Sequence, residues 1–133
     1  MRPGGPVFAA AISRWAPRLD GELRERLYER FPHVREFTPE VERTGLLPPL
    51  HPGSFTGFCH RPGQLRAEVR GAGLAVADLV SVEGPASLLG DLAERLDDPV
   101  ARAVVLDSAR VTERVPELLG IGPHLLATGI RRD

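Results

Sequence analysis

The feature that most constrains this chain is the order of three short apolar segments, which are separated by helix-type segments. Residues 6–13 contain no alternating polar residue, which is typical of a strand buried on both faces, and residues 74–82 and 124–130 are also strand-like. Strands that are separated by helices predict an α/β layered sheet. Because a complete doubly wound sheet has about five or six strands, three strands predict only a partial sheet.

The segments between these strands carry the start and stop signals of helices. Leu19, Leu23, Leu27 and Phe31 recur at helical spacing, so they predict an amphipathic helix that ends before Pro32. The Pro- and Gly-rich residues 46–57 predict an ordered loop. Further helices are predicted from Thr38 to Gly45, from Pro62 to Gly73, from Gly84 through Leu96 and from Asp98 through Val111.

The charge balance excludes binding that depends on bulk charge. The 17 basic and 18 acidic residues leave a formal net charge of -1, which argues against a nucleic-acid or anionic-membrane partner. No apolar run approaches the roughly 20 residues of a membrane span, and the N-terminus lacks a secretory signal pattern. A cytoplasmic protein is therefore expected. Every basic residue is Arg, which indicates the coding bias of GC-rich bacteria and excludes Schiff-base or P-loop lysine chemistry.

The thiol and imidazole groups do not predict a metal centre. Cys59 is the only cysteine, so an internal disulfide and a multi-thiolate cage are excluded. The four histidines lack the spacing of a zinc site, so no metal is expected. Adjacent residues of a strand point to opposite faces, so Cys59 and His60 cannot easily face one ion. Cys59 is interpreted as a small buried hydrophobe.

Short motifs occur in a definite order along nearly the whole chain. They are Arg2-Pro3-Gly4-Gly5, His60-Arg61-Pro62-Gly63-Gln64-Leu65, Ala72-Gly73-Leu74, Val82-Glu83-Gly84-Pro85, Leu118-Leu119-Gly120 and His124-Leu125-Leu126-Ala127. The first resembles the turn before the fifth strand of class I S-adenosylmethionine-dependent methyltransferases, and the next two resemble the stretch before the sixth strand. The last three resemble the tail of an actinobacterial subgroup of that family.

The resemblance implies a chain without the cofactor-binding part of the family fold. The family holds S-adenosylmethionine with a glycine-rich loop after its first strand and an acidic residue after its second. Here Gly4-Gly5 precedes a strand and Gly71-Ala72-Gly73 ends a helix. Residues 1–133 are therefore expected to be a single domain or fragment, the substrate-side C-terminal half of the fold: a natural half, part of a split enzyme, or a truncated gene product. The isolated chain is expected to bind no cofactor and to be inactive.

The resemblance also predicts where a ligand binds. In the family the last strand runs antiparallel between the other two, which brings three strand ends to one edge of the sheet, where open α/β sheets bind ligands. The expected site for an unidentified small-molecule methyl acceptor is formed by Ser13, Arg14, Trp15, Glu83 and His124. The alternative is an Arg14–Glu83 ion pair and a His124 that only packs near a turn. No catalytic residue is assigned, because the transfer mainly needs positioning.

His60 is a further substrate-binding candidate, because it lies in the loop that the family uses near its substrate. The alternative is a purely structural histidine.

Two classes of function follow from these features. The first is the substrate-binding half of a methyltransferase. The second is a non-catalytic α/β interaction module or inactive remnant that pairs with a partner chain. The resemblance places the missing cofactor half beside residues 6–13, so this apolar edge is expected to lack a neighbour. Such an edge predicts a homodimer, a separately encoded cofactor-binding partner, or aggregation.

Overall fold

A five-stranded mixed sheet organises the structure. The computed structural model describes residues 2–132, and the strands span Pro6–Ser13 (β1), Leu46–Leu47 (β2), Gly57–His60 (β3), Leu74–Ser81 (β4) and His124–Arg131 (β5). Their order across the sheet is β2-β3-β1-β5-β4. The α/β class is confirmed, but the expected count of three strands is wrong. The two extra strands are too short to be recognised from their composition. They form by pairing with one another and with the end of β1.

The last strand lies between the other two predicted strands. β5 pairs antiparallel with β1, with Ala9 opposite Ala127, and antiparallel with β4, with Leu79 opposite the same Ala127. β1 and β4 therefore run in the same direction on either side of β5. This confirms the predicted direction and position of the last strand.

The connections between the strands contain four α-helices in the described part of the chain. They span Val34–Thr44 (α1), Pro62–Gly71 (α2), Leu92–Asp97 (α3) and Pro99–Thr112 (α4), with short helical turns at Pro17–Arg24, Leu27–Glu29, Pro85–Leu88 and Pro116–Leu118. α4 begins where the sequence predicts, since the Asp98 carboxylate accepts a hydrogen bond from Ala101 N at 2.7 Å. Between residues 2 and 132, no helix is both long and apolar enough to cross a membrane.

Three predicted helices differ from the structure. The helix predicted from Gly84 through Leu96 is divided into a short turn over Pro85–Leu88 and α3 over Leu92–Asp97. The helix predicted over residues 19–31 breaks at Arg26, whose φ of 53° is left-handed and ends a regular helix. Before that break, Pro17–Arg24 forms a wide π-type turn. Its period differs from 3.6 residues, so Leu23 of the predicted apolar stripe is 68% exposed. α1 begins at Val34 rather than near Thr38. Thr38 does not cap the helix as predicted; it lies inside the helix, and its hydroxyl donates a hydrogen bond to Val34 O at 2.7 Å.

The core lies on one face of the sheet, under α2. Leu65 and Val69 of α2 pack against Leu79 of β4 and against Leu125 and Ala127 of β5. Side chains alternate between the faces of a strand. Ala9 therefore points into this core, while its neighbour Phe8 points to the opposite face and is 65% exposed.

The outer edge of β1 is only partly covered. β3 pairs with β1 through Ile12 and Ser13, which contradicts the expectation that this edge has no neighbour within the chain. In the part of the chain that the structure describes, residues 6–11 have no strand beside them on that side. Because β3 is only four residues long and pairs with Ile12 and Ser13 alone, the N-terminal three-quarters of the β1 edge stays open.

Candidate functional site

Three strand ends meet at one edge of the sheet, as the family resemblance implies. The backbone N–H of Ser13, at the end of β1, donates to Pro123 O at 2.8 Å. The backbone N–H of Val82, just after β4, donates to His124 O at 3.1 Å. The start of β5 is therefore tied to the carboxyl ends of both of its neighbours, where ligands of open α/β sheets bind.

Glu83 and His124 form a close pair at this edge. Glu83 Oε1 lies 2.5 Å from His124 Nδ1, and Glu83 Oε2 accepts a hydrogen bond from His124 N at 3.2 Å. A carboxylate is only an acceptor, so His124 Nδ1 carries the proton of the first contact. The double contact fixes the imidazole relative to the strand, and it leaves Nε2 as the ring nitrogen that can face a ligand.

The turn before β5 has no room for a side chain at Gly122. A Cβ there would lie 2.9 Å from Ser81 Oγ, 3.2 Å from Gly84 N and 3.3 Å from Glu83 Oε2. The Pro123-His124 segment can approach the Glu83-Gly84 turn only because residue 122 is glycine. This close approach brings the carboxylate of Glu83 within reach of His124.

Ser13 and Trp15 lie at the same edge but have structural contacts. Ser13 is fully buried and its hydroxyl donates to Gly120 O at 3.2 Å. Trp15 is partly exposed and lies against Gly120, where a Cβ would be 3.4 Å from its Cδ1 atom. Both residues hold the turn that precedes β5.

Arg14 is turned away from Glu83 and buried. Its guanidinium donates to Cys59 O at 2.8 Å, Glu42 O at 3.1 Å and Gln64 Oε1 at 2.7 Å, and lies over the Phe58 ring at 5.6 Å. The predicted alternative of an Arg14–Glu83 ion pair is therefore wrong. Burial lowers the pKa of Arg14, and the positive charge of the neighbouring Arg61 acts in the same direction. Arg14 joins β1 to β3, to the C-terminal end of α1 and to the start of α2, since its three acceptors belong to these three elements.

His60 and Cys59 are neighbouring residues of β3, the strand that Arg14 contacts. His60 Nε2 contacts the Glu68 carboxylate at 3.1 Å, and its ring meets Phe58 edge to face. Its Nδ1 is buried without a hydrogen-bond partner among residues 2–132. The Cys59 side chain is fully buried, as predicted, and burial raises the pKa of its thiol to about 11. Neither residue lines the cavity described next.

An apolar cavity of about 310 Å³ opens beside His124. Ile12 and Pro123 form its wall on the sheet side, while the opposite wall comes from segments whose role the sequence did not reveal. These lining residues come from the wide turn, α1 and the Pro-rich segment: Ala16, Pro17, Asp20, Gly21, Leu27, Val34, Phe37, Leu47, Pro48, Leu50, Ser54 and Phe55. The signal in the sequence was the apolar content of residues 46–55, which is unusual for a surface loop.

The described residues do not fit S-adenosylmethionine. The family's cradle requires glycines between a strand and a helix, but Gly73 follows the end of α2 and Gly4 precedes β1. Gly63 lies in the first turn of α2, and the segment between β4 and α3 has only the widely spaced Gly84 and Gly90, so no described strand-to-helix junction is glycine-rich.

Comparisons with known proteins assign no family. No family model matches the chain, and no curated protein matches it. Across residues 2–132, no group of three or more His, Cys, Asp or Glu side chains is arranged to hold a metal ion. The functional proposal therefore depends on the motifs of the sequence and the geometry of the cavity.

Proposed function

We propose that this chain is the substrate-side half of an S-adenosylmethionine-dependent methyltransferase fold, which holds a small-molecule methyl acceptor. The observation that carries the proposal is the antiparallel β5 between the parallel β1 and β4. This is the arrangement that the resemblance implies for the last three strands of that family. The cofactor is then bound by residues outside this chain, in a preceding segment or a separate polypeptide.

The cavity at the edge of the sheet supports the role of acceptor site. It lies at the carboxyl end of β1 and the start of β5, and its walls are mainly aliphatic and aromatic. Small-molecule sites are mostly apolar with a few placed polar groups. Methyl transfer is a displacement that depends on orientation and the exclusion of water, and an apolar cavity supplies both.

The open part of the β1 edge supports the second half of the proposal. Residues 6–11 lack a neighbouring strand on one side within the described part of the chain, and this is where the resemblance places the cofactor half of the sheet. A strand from that half would satisfy the free backbone groups.

Isothermal titration with S-adenosylmethionine tests whether the cofactor site lies outside this chain. The chain alone is expected to give no heat of binding, because its residues do not form the cofactor cradle. The chain mixed with a polypeptide that carries the glycine-rich loop, sought first in the upstream reading frame, is expected to bind. Low-micromolar binding by the chain alone would overturn the proposal, as would a mixture that forms a complex but binds no cofactor.

One observation favours a non-catalytic interaction module as the second candidate. Val100 and Val111 on α4 are 76% and 77% exposed, and apolar helix faces of this kind mark interaction sites. The type of partner protein distinguishes this candidate from the methyltransferase proposal. An interaction module is expected to form a complex with a protein that lacks methyltransferase motifs, with the cavity beside His124 empty of any acceptor.

A further inference from the structure

We infer that the cavity beside His124 is a receptor for a flat, apolar ligand that carries a hydroxyl group, with His124 Nε2 as the acceptor of the hydroxyl hydrogen bond. The inference concerns the same cavity as the proposed function and rests on it only for the idea that the ligand is a methyl acceptor. Binding itself can be measured on this chain without any cofactor.

The Glu83–His124 contact decides which ring nitrogen is available. Glu83 accepts from Nδ1 and from the backbone N–H of the same residue. In the neutral ring, a proton held on Nδ1 leaves a lone pair on Nε2. When a neighbouring carboxylate accepts from one ring nitrogen of a histidine, the other ring nitrogen can act as a hydrogen-bond acceptor or base. Glu83 has this role toward Nδ1 of His124, and Nε2 is the acceptor.

The other polar groups on the cavity wall already have partners. Asp20 accepts from Arg24 Nε at 2.7 Å, so its charge is balanced within the same turn. Ser54 Oγ accepts from His51 N at 3.2 Å. Within residues 2–132, no hydrogen bond is made to His124 Nε2, and the His124 side chain is 51% exposed.

The walls of the cavity favour a ligand with an apolar, aromatic ring system. Phe37 and Phe55 provide aromatic surface, while Leu27, Leu47 and Leu50 provide aliphatic surface. A cavity of about 310 Å³ is at the small end of ligand sites, so one or two fused rings fill it. Aromatic rings pack well against such walls, and no cationic side chain lines the cavity in the described residues, which disfavours an anionic ligand.

The first experiment compares α-naphthol with its methyl ether, which has the same ring but no donor. Affinities are measured by titration calorimetry at mildly alkaline pH with the full chain. The naphthol is expected to bind about fivefold more tightly than the ether, the ratio that one net hydrogen bond gives. In His124→Phe this preference is expected to disappear while the ether still binds. Equal affinities in the wild-type chain, or no binding of either compound, would overturn the inference without affecting the cofactor titration.

The second experiment tests the positioning role of Glu83 and does not depend on a folded His124 variant. Long-range proton–nitrogen NMR correlations report which nitrogen of His124 carries the proton. We expect Nδ1 in the wild-type chain. In Glu83→Gln we expect a shift of the proton toward Nε2, because the amide has an NH2 donor in place of one of the two carboxylate oxygens that accept from His124. The preference for naphthol is expected to fall in parallel.

A second Glu–His pair outside the cavity provides a matched control. Both carboxylate oxygens of Glu68 contact His60 Nε2, at 3.2 and 3.1 Å, and neither residue lines the cavity. Glu68→Gln is expected to leave the His124 signals and the preference for naphthol unchanged. A proton on Nε2 of His124 in the wild-type chain contradicts the inference, and so does an equal effect of Glu68→Gln and Glu83→Gln.

Discussion

At the scale of single residues, Cys59 combines full burial with a titratable group. It lies in β3, and the Arg14 guanidinium donates a hydrogen bond to its carbonyl oxygen at 2.8 Å. Burial raises the pKa of the thiol to about 11, and the positive charge of Arg14 opposes this rise to a smaller extent. A buried thiol of this kind is unreactive.

The raised pKa predicts a loss of stability at alkaline pH. Above the pKa of the unfolded thiol, near 9, the unfolded chain releases a proton that the folded chain retains up to about pH 11. The folded state binds more protons in this window, so the free energy of unfolding falls as the pH rises. A rise of the pKa from 9.0 to about 11 corresponds to a full contribution of about 3 kcal/mol.

Denaturant titrations of the wild-type chain and of Cys59→Ala at several pH values measure this effect. The difference in stability between the two chains is expected to be constant below pH 9 and to shrink above it, because only the wild-type chain has the thiol. A difference that stays constant to the alkaline limit of the experiment would contradict the prediction.

At the scale of elements, the junction between β4 and β5 has two turns in close contact. Gly122 lies so near Ser81 and the Glu83-Gly84 turn that a methyl group would meet atoms at 2.9–3.3 Å. One of these atoms is a backbone nitrogen, so the conflict cannot be relieved by rotating a side chain. The contact between Glu83 and His124 depends on this junction.

Gly122→Ala is therefore expected to destabilise the fold by about 1–3 kcal/mol, the usual cost of overpacking, and to separate Glu83 from His124. Chemical denaturation measures the first effect, and the NMR signals of His124 measure the second. The matched control is Gly71→Ala near the end of α2, where a Cβ meets nothing within 4 Å. Similar losses of stability in both variants would show that the close approach at Gly122 has no special role.

At the scale of the whole molecule, the sheet has an open edge beside an exposed face. Arg14 N donates to His60 O on the β3 side, and backbone groups of a strand alternate in direction. The backbone N–H and C=O groups of Phe8 and Ala10 therefore point out of the open edge. Both side chains are exposed, and no charged residue lies within β1, so the edge lacks the charges that discourage pairing with another chain.

The purified chain is therefore expected to associate with itself when no partner is present. Sedimentation velocity should reveal a mean mass that rises with concentration. Phe8→Lys places a charge on the edge and is expected to restore a monomer, whereas Leu23→Lys, at a similarly exposed leucine away from the sheet, is not. A wild-type chain that is monomeric at all concentrations and unfolds cooperatively would indicate a self-sufficient domain and would count against the half-enzyme proposal.

Local chemistry determined the three longer strands and several helix starts. β1, β4 and β5 are recognisable because each is an apolar run bounded by Gly, Pro or charged residues, and α4 begins at Asp98-Pro99 because the carboxylate caps it. The meeting of Glu83 and His124 at one edge was predicted from the family resemblance, which implied the direction and position of the last strand, and not from local chemistry.

Tertiary structure decided the features that depend on contacts between distant segments. β2 and β3 exist because β1 offers a pairing edge at Ile12 and Ser13, and the left-handed Arg26 breaks a helix that spacing alone favoured. Arg14 contacts Cys59 and Gln64 rather than Glu83. The sequence around Arg14 does not determine which of these residues it contacts, because all three are distant along the chain. The cavity beside His124 has walls from four separate stretches of chain, so no local pattern encodes it. Strand and helix propensities act over a few residues, whereas burial, pairing and the shape of a cavity are set only when distant segments pack together.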